Sequence, residues 1–337
     1  MRYAKCYCFR TNDLFLPPSD RANGALLDGL ISPLQSLEQL SRTPLVDTHG
    51  HAHLQRENET KDYHSGHHHS PILSLTCSVA PSDWNKCLEY AAQSPHRRAA
   101  IGVHPWYLDE LMTNKDNNNI PQVDPIWYAE METLLQTHPG CLVGEIGLCQ
   151  KARFVRTFPG GKPAALQLQR QVFQQQLQLA AQYQRPASIH CVQQHGIVFD
   201  VFRQLFSPPS AAPPALALHS FTGTAHHIRQ LLQWENSLPR DEPLLYFGFS
   251  HVVNVAMCTS EKSQRQTRLA ILEVPYDRLL VESDVACETA VPAGTAGAVA
   301  YLALVLQRPL HEVAEQTHHN GLRFLSTLSG EHSEVTE

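Results

Sequence analysis

The sequence predicts a single α/β domain built as a (β/α)8 TIM-type barrel. Three observations lead there. Eight short apolar runs alternate with longer stretches of helical periodicity, which is the pattern of a parallel sheet. Several of the runs are continuously apolar, as strands covered on both faces must be. Five of the eight carry a His, Glu or Asp at or just past their C-terminal end. In a closed parallel barrel those ends converge on one face.

The elements follow in order. Residues 1–40 read as an N-terminal extension, broken at Pro17-Pro18, with one helix expected within 24–40. Strands are expected at 44–49, 72–79, 99–104, 141–148, 187–190, 215–219, 244–249 and 278–282. Helical patterns occupy 83–93, 125–138, 164–184, 196–206, 225–234 and 262–272, and two more, 292–305 and 310–325, close the chain. The connections carry the punctuation: 58–70 is polar and holds His64 and His67-His68-His69, 113–124 is rich in Asn, and 207–214 has four prolines. The acidic stretch from Ser329 reads as a frayed tail. The expected division is therefore extension 1–40, barrel 41–328 and tail 329–337.

Composition narrows the function classes. With 337 residues, 42% of them apolar and 17% charged, the chain suits one large folded domain. No stretch reads as a membrane span or signal peptide. Nine cysteines without a regular framework suggest reduced thiols and an intracellular protein, in cytoplasm or nucleus. The net charge of −6 argues against a broad basic face for duplex DNA. Positive charge for a phosphate must then be local or supplied by metal. Histidine is the unusual count, at 20, and imidazole is the commonest metal-binding side chain.

The first run ends Val46-Asp47-Thr48-His49-Gly50-His51. In a strand, residues i and i+2 share a face, so His49 and His51 aim together into the barrel mouth. Two neutral imidazoles suit a divalent transition metal. Asp47 is placed to orient an imidazole as hydrogen-bond acceptor. Run four sets Glu145 among apolar neighbours, where carboxylates are rare unless paired or metal-bound. His190, His219 and Asp284 stand at the ends of runs five, six and eight. One such residue has a bland explanation, but five strand ends together point to a metal site.

These residues lie in motifs that resemble the TatD-like metal-dependent deoxyribonucleases of the amidohydrolase superfamily: VDTHGH at 46–51, GVHP at 102–105, GEIGL at 144–148, IH at 189–190, HSFTGT at 219–224 and ESD at 282–284. The phrases SIHCVQQHG and YFGFSHVVN look most like a fungal branch. The resemblance covers about residues 44–325. It implies that His49, His51 and Asp284 hold a first metal. Glu145 would bridge to a second, held also by His190 and His219, and His104 would line the substrate pocket. It also implies hydrolysis of phosphodiesters, DNA among them. Two positions depart from the family pattern: Cys149 replaces the Asp that usually follows GEIGL, and Ser283 replaces a Thr. Residues 1–40 and 58–70 fall outside the resemblance.

On this reading one or two divalent ions, Zn, Mg or Mn, activate water, with Asp284 as general base beside the bridging Glu145. Lys151, Arg153 and Arg156 are candidates for phosphate contacts, and Phe221 for stacking on a base or sugar. The expected partner is DNA or another phosphodiester, with no membrane, a monomeric protein, and a protein partner conceivable through the extension. Two rivals stand: an amide or lactone hydrolase of the same superfamily, and a weakly active barrel serving as a binding partner. Glu145 at the bridging position opposes the first, and the intact set of six opposes the second.

Overall fold

The computed structural model describes residues 27–55, 72–115, 121–206 and 212–326. The expectations for residues 1–26, for the histidines of 58–70 and for the tail 329–337 lie outside the described residues. The barrel strands are β1 (Val46–Gly50), β2 (Leu73–Cys77), β3 (Arg97–Ile101), and then, after an inserted hairpin of β4 (Met112–Lys115) and β5 (Pro121–Val123), β6 (Leu142–Cys149), β7 (Ala187–Val192), β8 (Leu216–Leu218), β9 (Leu245–Ser250) and β10 (Leu279–Glu282). All neighbours in the order β1-β2-β3-β6-β7-β8-β9-β10 are parallel. Backbone bonds from Asp284 N to His49 O and from His51 N to Val285 O, 3.0 and 2.8 Å, join the last strand to the first. Every expected strand is present, with ends shifted by at most three residues.

The helices are α1 (Pro33–Gln39), α2 (Trp84–Ala92), α3 (Ile126–Thr137), α4 (Arg153–Thr157), α5 (Gly161–Gln182), α6 (His195–Leu205), α7 (Ala225–Glu235), α8 (Glu261–Glu273), α9 (Val291–Leu306) and α10 (Leu310–Ser326). Their starts follow local chemistry. Ser32 and Gln35 form a capping box ahead of Pro33, Thr224 caps α7 through His227 N, and Ser260 caps α8 through Ser263 N; each satisfies an amide with no helical partner.

Three features depart from expectation. Within the connection 113–124, β4 and β5 pair as antiparallel strands. The short helix α4 stands where a loop was expected. Glu288–Leu306 is, by length and composition, long and apolar enough to cross a membrane, although no such stretch was read in the sequence. It is apolar on all sides because 78% of that window is buried in the fold, as a core helix must be. Part of its cover is α1: Pro33 packs against Gly297, and Leu27, Leu37 and Leu40 join the main apolar core.

Candidate metal centre

The mouth of the barrel is assembled from strand ends. His49, wholly buried, and His51, half-buried, leave β1 with ring centroids 5.0 Å apart. His51 Nδ1 lies 2.8 Å from Cys77 O. A carbonyl only accepts, so Nδ1 carries a proton, and Nε2 is the nitrogen that can bind a metal once it gives up its own. That Nε2 lies 3.3 Å from Glu145 Oε2 and 3.7 Å from Asp284 Oδ1. His49 is tied at Nδ1 to Ser188 Oγ, 2.8 Å, and its Nε2 faces the same two carboxylates at 3.6 and 4.0 Å. His49 Nε2 is buried with no hydrogen-bond partner among the described residues. An orphaned lone pair beside two carboxylates fits a cation.

Glu145 stands at the centre. Its Oε1 lies 2.7 Å from His219 Nε2, 2.9 Å from His190 Nδ1 and 3.2 Å from His104 Nε2. Burial raises its pKa, but the imidazoles around it, His104 and His219 foremost, hold it well below the usual carboxylate range. Gly147 makes this crowding possible: a Cβ there would stand 2.0 Å from His190 O. Only glycine lets β7 come close enough to set His190 beside Glu145.

His104 differs from the others. Trp106 N donates to its Nδ1 at 3.2 Å, so the neutral ring carries its proton on Nε2 and faces Glu145 as a donor. Burial pushes its pKa down to about 4, which keeps the ring neutral.

Asp284 takes a left-handed backbone, φ 54°, a conformation Asp tolerates better than most residues. Ser220 Oγ donates to its Oδ2 at 2.8 Å. Glu282 sits beneath, accepting from Ser220 N and lying 3.7 Å from His219 Nδ1. It occupies space that a Cβ on Gly248 would fill. Its negative charge lies behind the His219 ring, whose Nδ1 is buried with no hydrogen-bond partner among the described residues, a placement the sequence reading did not assign to Glu282. Asp47 orients no imidazole. It accepts from Ser283 N and Oγ at 2.8 and 2.6 Å, and so sets the turn that carries Asp284.

Three groups of side chains could each hold a metal ion: His49–His51–Asp284, His49–Glu145–His219 and His104–Glu145–His190. All six residues expected at the metal therefore meet in one place. All but His49, which is wholly buried behind them, line one side of a cavity of about 500 Å³ that Lys151 and Arg156 also line. Two candidates do not reach it. Arg153 is exposed on α4 and is not among the lining residues. Phe221 is 2% exposed and packs on Phe247 and Phe249 with ring centroids at 5.4 and 6.4 Å, so it belongs to the barrel wall. Among the described residues, the Trp or Phe ring on the cavity is that of Trp106, directly after the GVHP motif at 102–105, which the reading missed. Cys149 accepts from its indole Nε1 at 3.0 Å.

A family model described as TatD related DNase matches residues 46–326. The chain belongs to this family. Among its relatives are the Cut9-interacting protein scn1 of Schizosaccharomyces pombe, 24% identical over 274 residues covering 62% of this chain and 78% of the relative, and the 3'-5' ssDNA/RNA exonuclease TatD of Citrobacter rodentium, 30% identical over 227 residues covering 66% and 71%. A crystal structure of a TatD homolog from Escherichia coli superposes with a TM-score of 0.59 at 18% identity, covering 83% of this TatD-family chain and 97% of the other. That likeness extends to the fold.

Proposed function

We infer that this TatD-family protein is a metal-dependent hydrolase of phosphodiesters, acting on DNA or RNA as a nuclease. The observation that carries the reading is the meeting of His49, His51, Glu145, His190, His219 and Asp284 around one carboxylate at the cavity floor. His49, His51 and Asp284 would hold one divalent ion, and Glu145, His190 and His219 a second. When bound, such ions neutralise developing phosphoryl charge and lower the pKa of a water. The mixed N/O donor set suits Zn, Mn or Mg.

The chain's own groups do the rest. Asp284 accepts the proton of the attacking water. Its carboxyl feels burial, which raises its pKa, but the His219, His49 and His51 rings hold it below the ordinary value, so it is ionised and ready. His104 Nε2–H offers a donor to Glu145 or to a phosphate oxygen. Lys151 and Arg156 at the cavity wall bind the flanking phosphate. Relatives named as single-strand exonucleases support an unpaired strand as substrate. We place the protein's work in cytoplasm or nucleus, as a monomer.

The test is hydrolysis of bis-p-nitrophenyl phosphate and of single-stranded DNA with Mg²⁺, Mn²⁺ or Zn²⁺. Both substrates are expected to be cleaved, and His49→Ala and Asp284→Ala to abolish cleavage. Activity surviving both changes would sink the assignment. A second reading, a binding role, draws on the name of the fission-yeast relative. A protein that takes up no metal would favour it.

A further inference from the structure

The cavity has two unlike walls, and the strand order places them. Its cations, Lys151 and Arg156, follow β6. In the order β1-β2-β3-β6-β7-β8-β9-β10, the three strands farthest from β6 around the ring are β9, β10 and β1. Apart from the metal-binding His51 and Asp284, every described residue that the segments after those strands give the cavity is apolar: Leu54, Val252, Val253, Met257 and Ala286. A cationic wall therefore faces an apolar one across the metal-binding groups. A phosphate needs only the first.

The apolar wall is fixed in place. Val252–Ala256 is a π-helical turn, closed by a bond from Met257 N to Val252 O at 2.9 Å; turns of this kind concentrate at functional sites. Asn254, 1% exposed, anchors it from behind. Its Nδ2 donates to Phe221 O at 3.0 Å and its Oδ1 accepts from Ser250 N at 2.8 Å, while Val253 N donates to Ser250 Oγ at 3.1 Å. The turn thereby holds Val253 half-buried and Met257 39% exposed on the cavity, although apolar surface gains from leaving water. The side chains of this wall have no polar group to bond a sugar hydroxyl or a base edge. The cavity's hydroxyls already donate elsewhere, Ser220 Oγ to Asp284 Oδ2 at 2.8 Å and Thr222 Oγ1 to Cys191 O at 3.3 Å. A phosphodiester held at the metal-binding groups, with one arm toward Lys151 and Arg156, sends its other arm onto this wall. Pockets that are largely apolar with a few placed polar groups are the usual form of small-molecule sites, and a thioether adapts to varied shapes.

We propose that Leu54, Val252, Val253 and Met257 form a binding subsite for the alkyl or aryl arm of a small phosphodiester. The protein then takes compounds with one charged and one apolar arm in addition to nucleic acid. The inference rests on the phosphodiesterase reading and adds a ligand class to it. Asn254 is the positioning residue of the subsite.

The experiment measures, by calorimetry, how tightly the metal-loaded protein binds methyl-, butyl- and hexylphosphonate, each of which has a single arm. Affinity is expected to rise with chain length, by up to about fourfold for each methylene buried. Met257→Gln and Leu54→Gln, which replace an apolar end by an amide, are expected to flatten the series. Their affinity for methylphosphonate, their metal stoichiometry and their melting temperature are expected to stay at the wild-type values. Leu269→Gln, an exposed position on α8 outside the cavity, is expected to leave the series as steep as in the wild type. A flat series in the wild type, or one equally steep in both cavity variants, would overturn the subsite. So would thymidine 5'-phosphate binding tighter than hexylphosphonate and weakening as much in Met257→Gln, since the wall would then belong to a nucleoside. If bis-p-nitrophenyl phosphate is still hydrolysed in those cases, the phosphodiesterase reading stands and only the subsite falls. A wild-type protein that neither hydrolyses that ester nor binds methylphosphonate would remove the underlying reading, and this proposal with it.

Discussion

His51 and His190 hold their protons tightly in the metal-free protein. Burial lowers both pKa values, but Glu145 beside His51, and Cys149 with Glu145 beside His190, raise each to about 9. A metal must take the lone pair from which the proton leaves. Metal affinity is therefore expected to rise as pH climbs from about 6 to about 9, with protons released on binding near neutrality. Calorimetry in buffers of different ionisation enthalpy measures that release; binding without it would contradict the protonation state. The same shifts set stability. A histidine whose folded value lies above its ordinary 6.5 stabilises the fold fully below that value, and this stabilisation is lost as pH rises through about 9. Glu145 and Asp284, held low, contribute above the ordinary carboxylate range and lose that contribution in acid. The metal-free melting temperature is expected to fall on both sides of neutrality. At this scale strand parity in the sequence paired His49 with His51, but left Trp106 and Phe221 indistinguishable. Phe221 lies inside a motif and Trp106 directly follows one, and only packing decides which of them faces the cavity.

Among the elements, the β6–β7 pair carries the most site geometry. It brings Glu145 to His190, and Gly147 sets how closely the strands approach. Gly147→Ala would drive a methyl into the His190 carbonyl and force one strand outward. Overpacking of this kind costs about 1–3 kcal/mol or more, and His190 would move from Glu145. The expected result is a lower denaturation midpoint together with reduced metal stoichiometry, read by unfolding and by elemental analysis. Gly140→Ala, with nothing within 4 Å of the new carbon, is expected to change neither. A Gly147→Ala protein with full metal content would show that the close approach is dispensable. The barrel strands were legible because apolar runs of this length have few other fates. The hairpin β4–β5 was not, since its sequence holds neither alternation nor a turn signature apart from its asparagines.

For the whole molecule, the expected boundary at residue 40 separates residues that pack as one body. Leu27, Leu37 and Leu40 are at most 4% exposed, and α1 lies on the apolar α9. Burying each leucine contributes about 1.5–3 kcal/mol. Removal of residues 1–40 is therefore expected to lower the melting temperature and to expose α9, with loss of solubility. A truncated chain that melts at the same temperature would restore the extension as a separate unit.

By itself the sequence determined the barrel and the six residues at its mouth. Both are written in local patterns: apolar runs with a polar ligand at the end, repeated along the chain. The tertiary structure decided the rest. Which nitrogen of each histidine faces inward depends on partners far along the chain, Cys77 for His51 and Ser188 for His49. Asp47 turned out to serve the turn that carries Asp284, and Glu282 to stand behind His219. The exchange of Asp for Cys at 149 reads in sequence as a loss; in the fold it accepts the indole proton of Trp106. Such roles arise where strands distant in sequence meet, so no local pattern could have carried them.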